Sequence, residues 1–149
     1  MEDTSTDVIE CEHWSHWHSL DGRTKGFKQW RNFSPIEMAC KGTGRLKLNV
    51  DAMDKLQALR NRIGKPLYIL SAYRSPEHNK AVKGAPNSMH LQGCAFDVAM
   101  TNLCPADFVA AARAVGFTGI GLYEKQNFIH IDTGRERSWG KWAYSPGVL

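Results

Sequence analysis

In the stretch Phe128-Ile129-His130-Ile131-Asp132 the two isoleucines stand at alternate positions, so an extended strand puts them on one face and Phe128, His130 and Asp132 on the other. The isoleucines need a core, which directs His130 and Asp132 away from it. Upstream, Gly119-Ile120-Gly121-Leu122-Tyr123 reads as a partner strand, with a polar turn near Lys125 and Gln126. A two-residue loop there sets Leu122 opposite Ile129, Gly121 opposite His130 and Gly119 opposite Asp132, although Lys125-Gln126 is a poor tight-turn pair and another register stays open. Both glycines then remove bulk beside polar residues, as the floor of a cleft requires.

The chain has 149 residues, near the commonest size of a single domain. Its 42% hydrophobic and 23% charged residues are ordinary for a globular protein, and no apolar run approaches the roughly 18 residues of a membrane span. No membrane insertion is expected. A net charge of +4 favours an acidic partner such as nucleic acid, anionic lipid or an anionic cell wall. The basic residues are scattered singly, however, which argues for a solvated surface and against a nucleic-acid partner. The opening MEDTSTDVIECEHW lacks the basic and apolar regions of a secretory signal, so synthesis in the cytoplasm and a separate route of release are expected. Cys11, Cys40, Cys94 and Cys104 show no C-x-x-C spacing and read as free thiols; a Cys94 to Cys104 bridge would need an oxidising compartment.

Residues 1–32 differ in composition from residues 33–149, with His13, His16 and His18 and three tryptophans in a short polar stretch. Histidine-rich tracts can bind metal, but this spacing fits no zinc pattern, and a surface arm anchored by tryptophans is the better reading. Ser34-Pro35-Ile36-Glu37 carries a capping box and starts a short helix through Cys40. KGTGRLKLN reads as a glycine-loosened turn, after which Asn49 caps a helix with Met53, Leu56, Leu59 and Ile63 at helical spacing and Gly64 as its stop. LYILSAY is a buried strand, PEHNKAVK a short helix, CAFDVAM a second strand and CPADFVAAARAVGF a helix stopped by Gly116. RERSWGKWAYSPGVL is left as a polar and aromatic tail. Without regular β-α-β alternation, the fold class is α+β, a small and mostly antiparallel sheet flanked by helices.

His90 and Asp97 flank Gly93. On a continuous helix they would lie about 10 Å apart, and on a continuous strand they would face opposite ways, so neither geometry lets both touch one ion at about 2 Å. A bend at Gly93 permits a loop that carries His90 back beside the strand carrying Asp97. With His130 from a neighbouring strand this makes a His-Asp-His zinc set whose open fourth position implies catalysis. A surface His90 and an edge Asp97 are the competing reading. Against it, an aspartate among Ala95, Phe96, Val98 and Ala99 is costly to bury unless paired or metal-bound.

Three stretches in order, S-A-Y-R-S-P-E-H-N, N-S-M-H-L-Q-G-C-A-F-D and G-I-G-L-Y with N-F-I-H-I-D-T-G, resemble the zinc D,D-carboxypeptidase and peptidoglycan endopeptidase family of bacterial and bacteriophage cell-wall enzymes, including phage endolysins. The resemblance covers about residues 33–139. It implies a hedgehog/D,D-peptidase type fold, zinc held by His90, Asp97 and His130, and Arg74 binding substrate or stabilising an oxyanion, for which a permanently charged guanidinium is suited. Arg74 could instead cap a turn. Ser88 matches a serine that contacts the substrate or orients the loop. Many relatives carry an acidic residue three positions before the second ligand histidine, where this chain has Asn127. An amide cannot accept a proton, so Asp132, about 7 Å along the strand, is expected as catalytic base or as support for a ligand, with Glu124 the other carboxylate in reach.

The expected function is thus a zinc metallopeptidase hydrolysing an amide bond in peptidoglycan stem peptides or cross-links, acting as a monomer on the cell wall after release, as a phage lysin or virion-associated enzyme would. The alternative is a non-catalytic, zinc-stabilised module that binds the wall or a protein partner on the same fold.

Overall fold

The computed structural model describes residues 7–19 and 27–143. The first strand, β1 (Val8–Cys11), pairs antiparallel with β2 (Leu46–Asn49) in a small two-stranded sheet. LKLN was expected as a loose turn. Its alternation is only four residues long, and it becomes a strand because β1 supplies hydrogen-bond partners from far off in sequence, while Leu46 and Leu48 bury in the core. Between the two strands, Trp17, Phe27 and Trp30 pack edge to face at ring separations of 4.6 and 5.2 Å, and all three are buried. His13 bonds to Ser15 at the surface. The side chain of His18 lies outside the described residues.

Helix α1 (Pro35–Met38) starts as its capping box predicts, with Glu37 Oε1 accepting from the Ser34 N–H at 3.2 Å, and stops short of Cys40. Helix α2 (Val50–Ile63) begins at Asn49, whose Oδ1 accepts from the Ala52 N–H at 2.9 Å, and ends at Gly64 in the left-handed region at φ 73°. Met53, Leu56 and Leu59 form its buried face. Replacing Asn49 by alanine orphans the Ala52 amide and is expected to destabilise the protein by about 1 kcal/mol, read as a shift in the urea midpoint at unchanged slope.

The main sheet has the order β3-β4-β6-β5-β7, where β3 is Ile69–Ser71, β4 Ala95–Ala99, β5 Gly119–Tyr123, β6 Phe128–Asp132 and β7 Arg137–Lys141. Helix α3 (Pro76–Ala81) follows β3, and α4 (Pro105–Val115) joins β4 to β5. Every pairing is antiparallel except that of β7 with β5. Phe96, Val98, Ile120, Leu122, Ile129 and Ile131 join one core with Leu56 and Leu59 of α2 and Phe108 of α4. This is the expected α+β class, and no helix among the described residues is long and apolar enough to cross a membrane. Cys11, Cys40 and Cys94 are buried free thiols and Cys104 an exposed one.

The tail reading of residues 137–141 is corrected. After β6, residues 133–136 step over the start of β5, and β7 pairs with the free edge of that strand, its Arg137 N–H donating to Thr118 O at 3.1 Å. A parallel edge strand with the sequence RSWGK carries no apolar alternation, so it forms by pairing with β5 and not by a local pattern.

Candidate active site and metal centre

The β5–β6 hairpin has the register its pattern predicts: Leu122 faces Ile129, Gly121 faces His130 and Gly119 faces Asp132. On the other side of β6, Asp97 lies directly opposite His130. Cross-strand partners share a face, so β4 and β6 bring a carboxylate and an imidazole together with the isoleucines turned to the core. His90 arrives from a 3₁₀ turn, Met89–Gln92, closed by Gly93 at φ 73°. A Cβ on Gly93 would stand 2.4 Å from Lys47 O as well as in a strained backbone conformation. Gly93→Ala is therefore expected to cost more than about 1 kcal/mol and to weaken metal binding, checked by thermal melts with and without zinc.

One nitrogen from each of His90 and His130 and an oxygen of Asp97 lie within 4.8 Å of one another, and all three residues are buried. His90 Nδ1 donates to Ala72 O at 2.6 Å, which leaves Nε2 as its ligand atom, 3.2 Å from Asp97 Oδ1. His130 Nε2 donates to Asp132 Oδ2 at 2.7 Å, which leaves Nδ1, 2.9 Å from the same Asp97 oxygen. Each histidine thus has an outer partner that fixes its tautomer and an inner nitrogen turned to a common point. Tetrahedral ligands at about 2 Å from zinc stand roughly 3.3 Å apart, close to these separations. The donor set fits a divalent ion with nitrogen and oxygen ligands, zinc above all.

The electrostatics favour positive charge at that common point. Burial opposes the charge on Asp97, but its contacts with His130 and His90 outweigh it and hold the carboxyl at about 2. For His130, burial favours the neutral ring, yet bonds to Asp132 and Asp97 raise its pKa above the ordinary value. Asp132 is fully buried. Burial again opposes its charge, and bonds from His130 and Arg137 overcome it, holding the carboxyl far below the usual range. Arg137 meets Asp132 through two nitrogens, each at 2.8 Å.

In front of the three donors opens a cleft of about 290 Å³. Arg74 and Ser88 line it. Arg74 Nη2 stands 4.0 Å from Asp97 Oδ2, and its Nη1 donates to Asn79 Oδ1 at 2.8 Å, so it is held by side chains and does not serve as a turn cap. Ser88 Oγ accepts from the His90 N–H at 3.1 Å, an orienting contact within the ligand loop. Asp132 lies behind His130 with both oxygens engaged, outside the cleft lining. Glu124 accepts from the Ala143 N–H at 3.1 Å and is also outside it. Asn127 closes the hairpin turn at φ 58°, a left-handed position that asparagine tolerates better than most residues. Its N–H donates to Glu124 O at 3.0 Å and its carbonyl accepts from Met100.

Among the lining residues that sequence reasoning did not single out are Tyr123, Arg137 and Trp139. The signal for the last two was the glycine pair. A Cβ on Gly119 would stand 2.2 Å from Arg137 Nη1, and one on Gly121 2.4 Å from the Trp139 ring. The room these glycines leave is filled by β7.

A family model described as peptidase M15 matches residues 28–132. Over 93 residues the chain is 33% identical to the peptidoglycan L,D-endopeptidase MepK of Escherichia coli (strain K12), an alignment covering 58% of this chain and 51% of that protein. It is 28% identical over 101 residues to the probable peptidoglycan L,D-endopeptidase MepK of Haemophilus influenzae, with 62% and 54% covered. It is 36% identical over 91 residues to the zinc D-Ala-D-Ala carboxypeptidase of Streptomyces albus G, with 58% and 36% covered. The chain spans about half the length of the MepK relatives and less of the carboxypeptidase.

Proposed function

This chain belongs to the M15 peptidase family, and from that premise we propose that it is a zinc-dependent peptidase hydrolysing an amide bond in the stem peptides or cross-links of peptidoglycan. The observation that carries the reading is the convergence of His90 Nε2, an Asp97 oxygen and His130 Nδ1 at the base of an open cleft. The names of its relatives, a peptidoglycan endopeptidase and a zinc carboxypeptidase, supply the substrate class.

When bound, zinc supplies Lewis acidity toward a carbonyl and brings the pKa of a coordinated water near neutrality. Arg74 offers its guanidinium to the negative charge that develops on the attacked carbonyl oxygen. Ala72 O holds the His90 ring, Ser88 holds the His90 backbone N–H, and Asn79 holds Arg74. Asp132 keeps the proton on His130 Nε2 and leaves Nδ1 to the metal, the ligand-supporting one of the two roles that the sequence offered for this carboxylate. Arg137 in turn fixes Asp132.

Residues 33–149 are the peptidase unit in this reading, residues 1–32 an arm laid over it, and a monomer the working state. Its place of action is the cell wall or periplasm, and the finer setting is that of a phage lysin. Incubating zinc-loaded protein with purified peptidoglycan and following released amines, with fragment masses to identify the bond, tests the reading. Release of amines that a chelator abolishes is expected; wall binding without amine release would replace the peptidase with a binding module. A fall in turbidity of permeabilised bacteria on addition of the protein tests the lysin setting.

A further inference from the structure

The cleft has two unlike walls. Arg74, Asn87 and Ser88 line a polar one, and Tyr123, Phe128 and Trp139 an aromatic one. Tyr123 and Phe128 are the cross-strand pair next along the sheet to Gly121 and His130, and their rings stack at 4.6 Å and 14°. Trp139, paired with Gly121 from β7, brings its ring within 5.3 Å of the His130 ring. Its indole Nε1–H donates to Tyr123 Oη at 2.8 Å. An indole nitrogen can only donate, so the tyrosine oxygen is the acceptor in this bond and its own hydrogen is turned elsewhere. Among the described residues no protein group accepts that hydrogen.

We infer that Tyr123, oriented by Trp139, is a substrate-positioning residue whose hydroxyl donates to a main-chain carbonyl of a peptide lying in the cleft, about two residues from the amide that is cut. The inference rests on the peptidase reading. The spacing follows from the strand: Tyr123 stands two positions beyond Gly121, the residue facing His130, which is about 7 Å, and an extended peptide advances about 3.3 Å per residue. A peptide offers an acceptor carbonyl at each residue, and the stacked rings shield the contact from water. The sequence hides the arrangement because Tyr123 and Trp139 meet only when β7 pairs with β5.

Kinetics on soluble muropeptides and on a synthetic stem tetrapeptide test it. Tyr123→Phe keeps the ring and loses the hydroxyl; a rise in KM of about three- to tenfold at unchanged kcat is expected, with zinc affinity as in the parent and Tm lowered only by the loss of the Trp139 hydrogen bond. Trp139→Phe should raise KM less, and should add nothing in the Tyr123→Phe background. A tetrapeptide shortened at the end that reaches Tyr123 should be cut equally by both proteins. Equal KM values on the full-length peptide, or a loss of zinc affinity in Tyr123→Phe, would overturn the inference, the latter assigning the pair to support of His130. If the parent cuts nothing, the peptidase reading fails; binding of the same peptides, weakened or not by Tyr123→Phe, then decides the contact separately.

Discussion

His130→Ala is expected to bring peptidoglycan hydrolysis to background and to weaken zinc binding by more than 100-fold. The comparison that sets this scale is the outer partner of a metal-bound histidine, whose loss alone costs about 10- to 100-fold in affinity or activity. Removing the ligand itself takes away one of three donors and also parts Asp97 and Asp132, which the imidazole joins through its two nitrogens. Zinc titration against a competing chelator reads the affinity, and amine release from peptidoglycan reads the activity. His90→Ala should behave alike, because its Nε2 faces the same Asp97 oxygen. Hydrolysis that survived in a folded His130→Ala protein would remove this residue from the active centre.

Asp132→Asn is expected to cost about 1.5–3 kcal/mol of stability, the scale for losing charge-assisted hydrogen bonds at a buried carboxylate. Asp132 is fully buried between His130 and the partly exposed Arg137 guanidinium, so the asparagine removes the charge both partners face and turns one of the two acceptor oxygens into a donor. Its zinc affinity should fall about 10- to 100-fold as the ring loses its orienting carboxylate. The pH dependence has a definite sign. The folded protein holds the Asp132 carboxyl below its ordinary value of 3.8, so its contribution is complete above that pH and fades as the pH falls further. In metal-free protein, the stability gap between parent and Asp132→Asn should be widest between about pH 4 and 6, narrowing below that window as Asp132 gains a proton and above it as His130 loses one. A gap that widened below about pH 4 would contradict the assignment.

Much of the site was legible because its signals are local. The alternation of FIHID and the glycines of GIGLY set the hairpin register, since a slip by one residue would turn Ile129 and Ile131 to solvent. Gly93 allowed the bend that carries His90 toward Asp97, and the capping signals at Ser34 and Asn49 started α1 and α2 where they stand. Asn127, noted only as a missing acid, is explained by its left-handed turn.

What the sequence determined by itself is the α+β class, the helix starts and the hairpin, consequences of side-chain period and backbone preference within a few residues; the three candidate metal ligands were allowed by that spacing and named by the family resemblance. Tertiary structure alone decided three things: that β1 pairs with β2, that β7 runs parallel along β5, and that Arg137 and Trp139 occupy the space over Gly119 and Gly121. It also decided that Asp132 is buried behind His130, bonded to that ring and to Arg137. The physical reason is common to all of them. Hydrogen-bond partners and neighbours that lie far apart in the chain are supplied by the rest of the fold, and no pattern in a short stretch records which edge will be free to accept it.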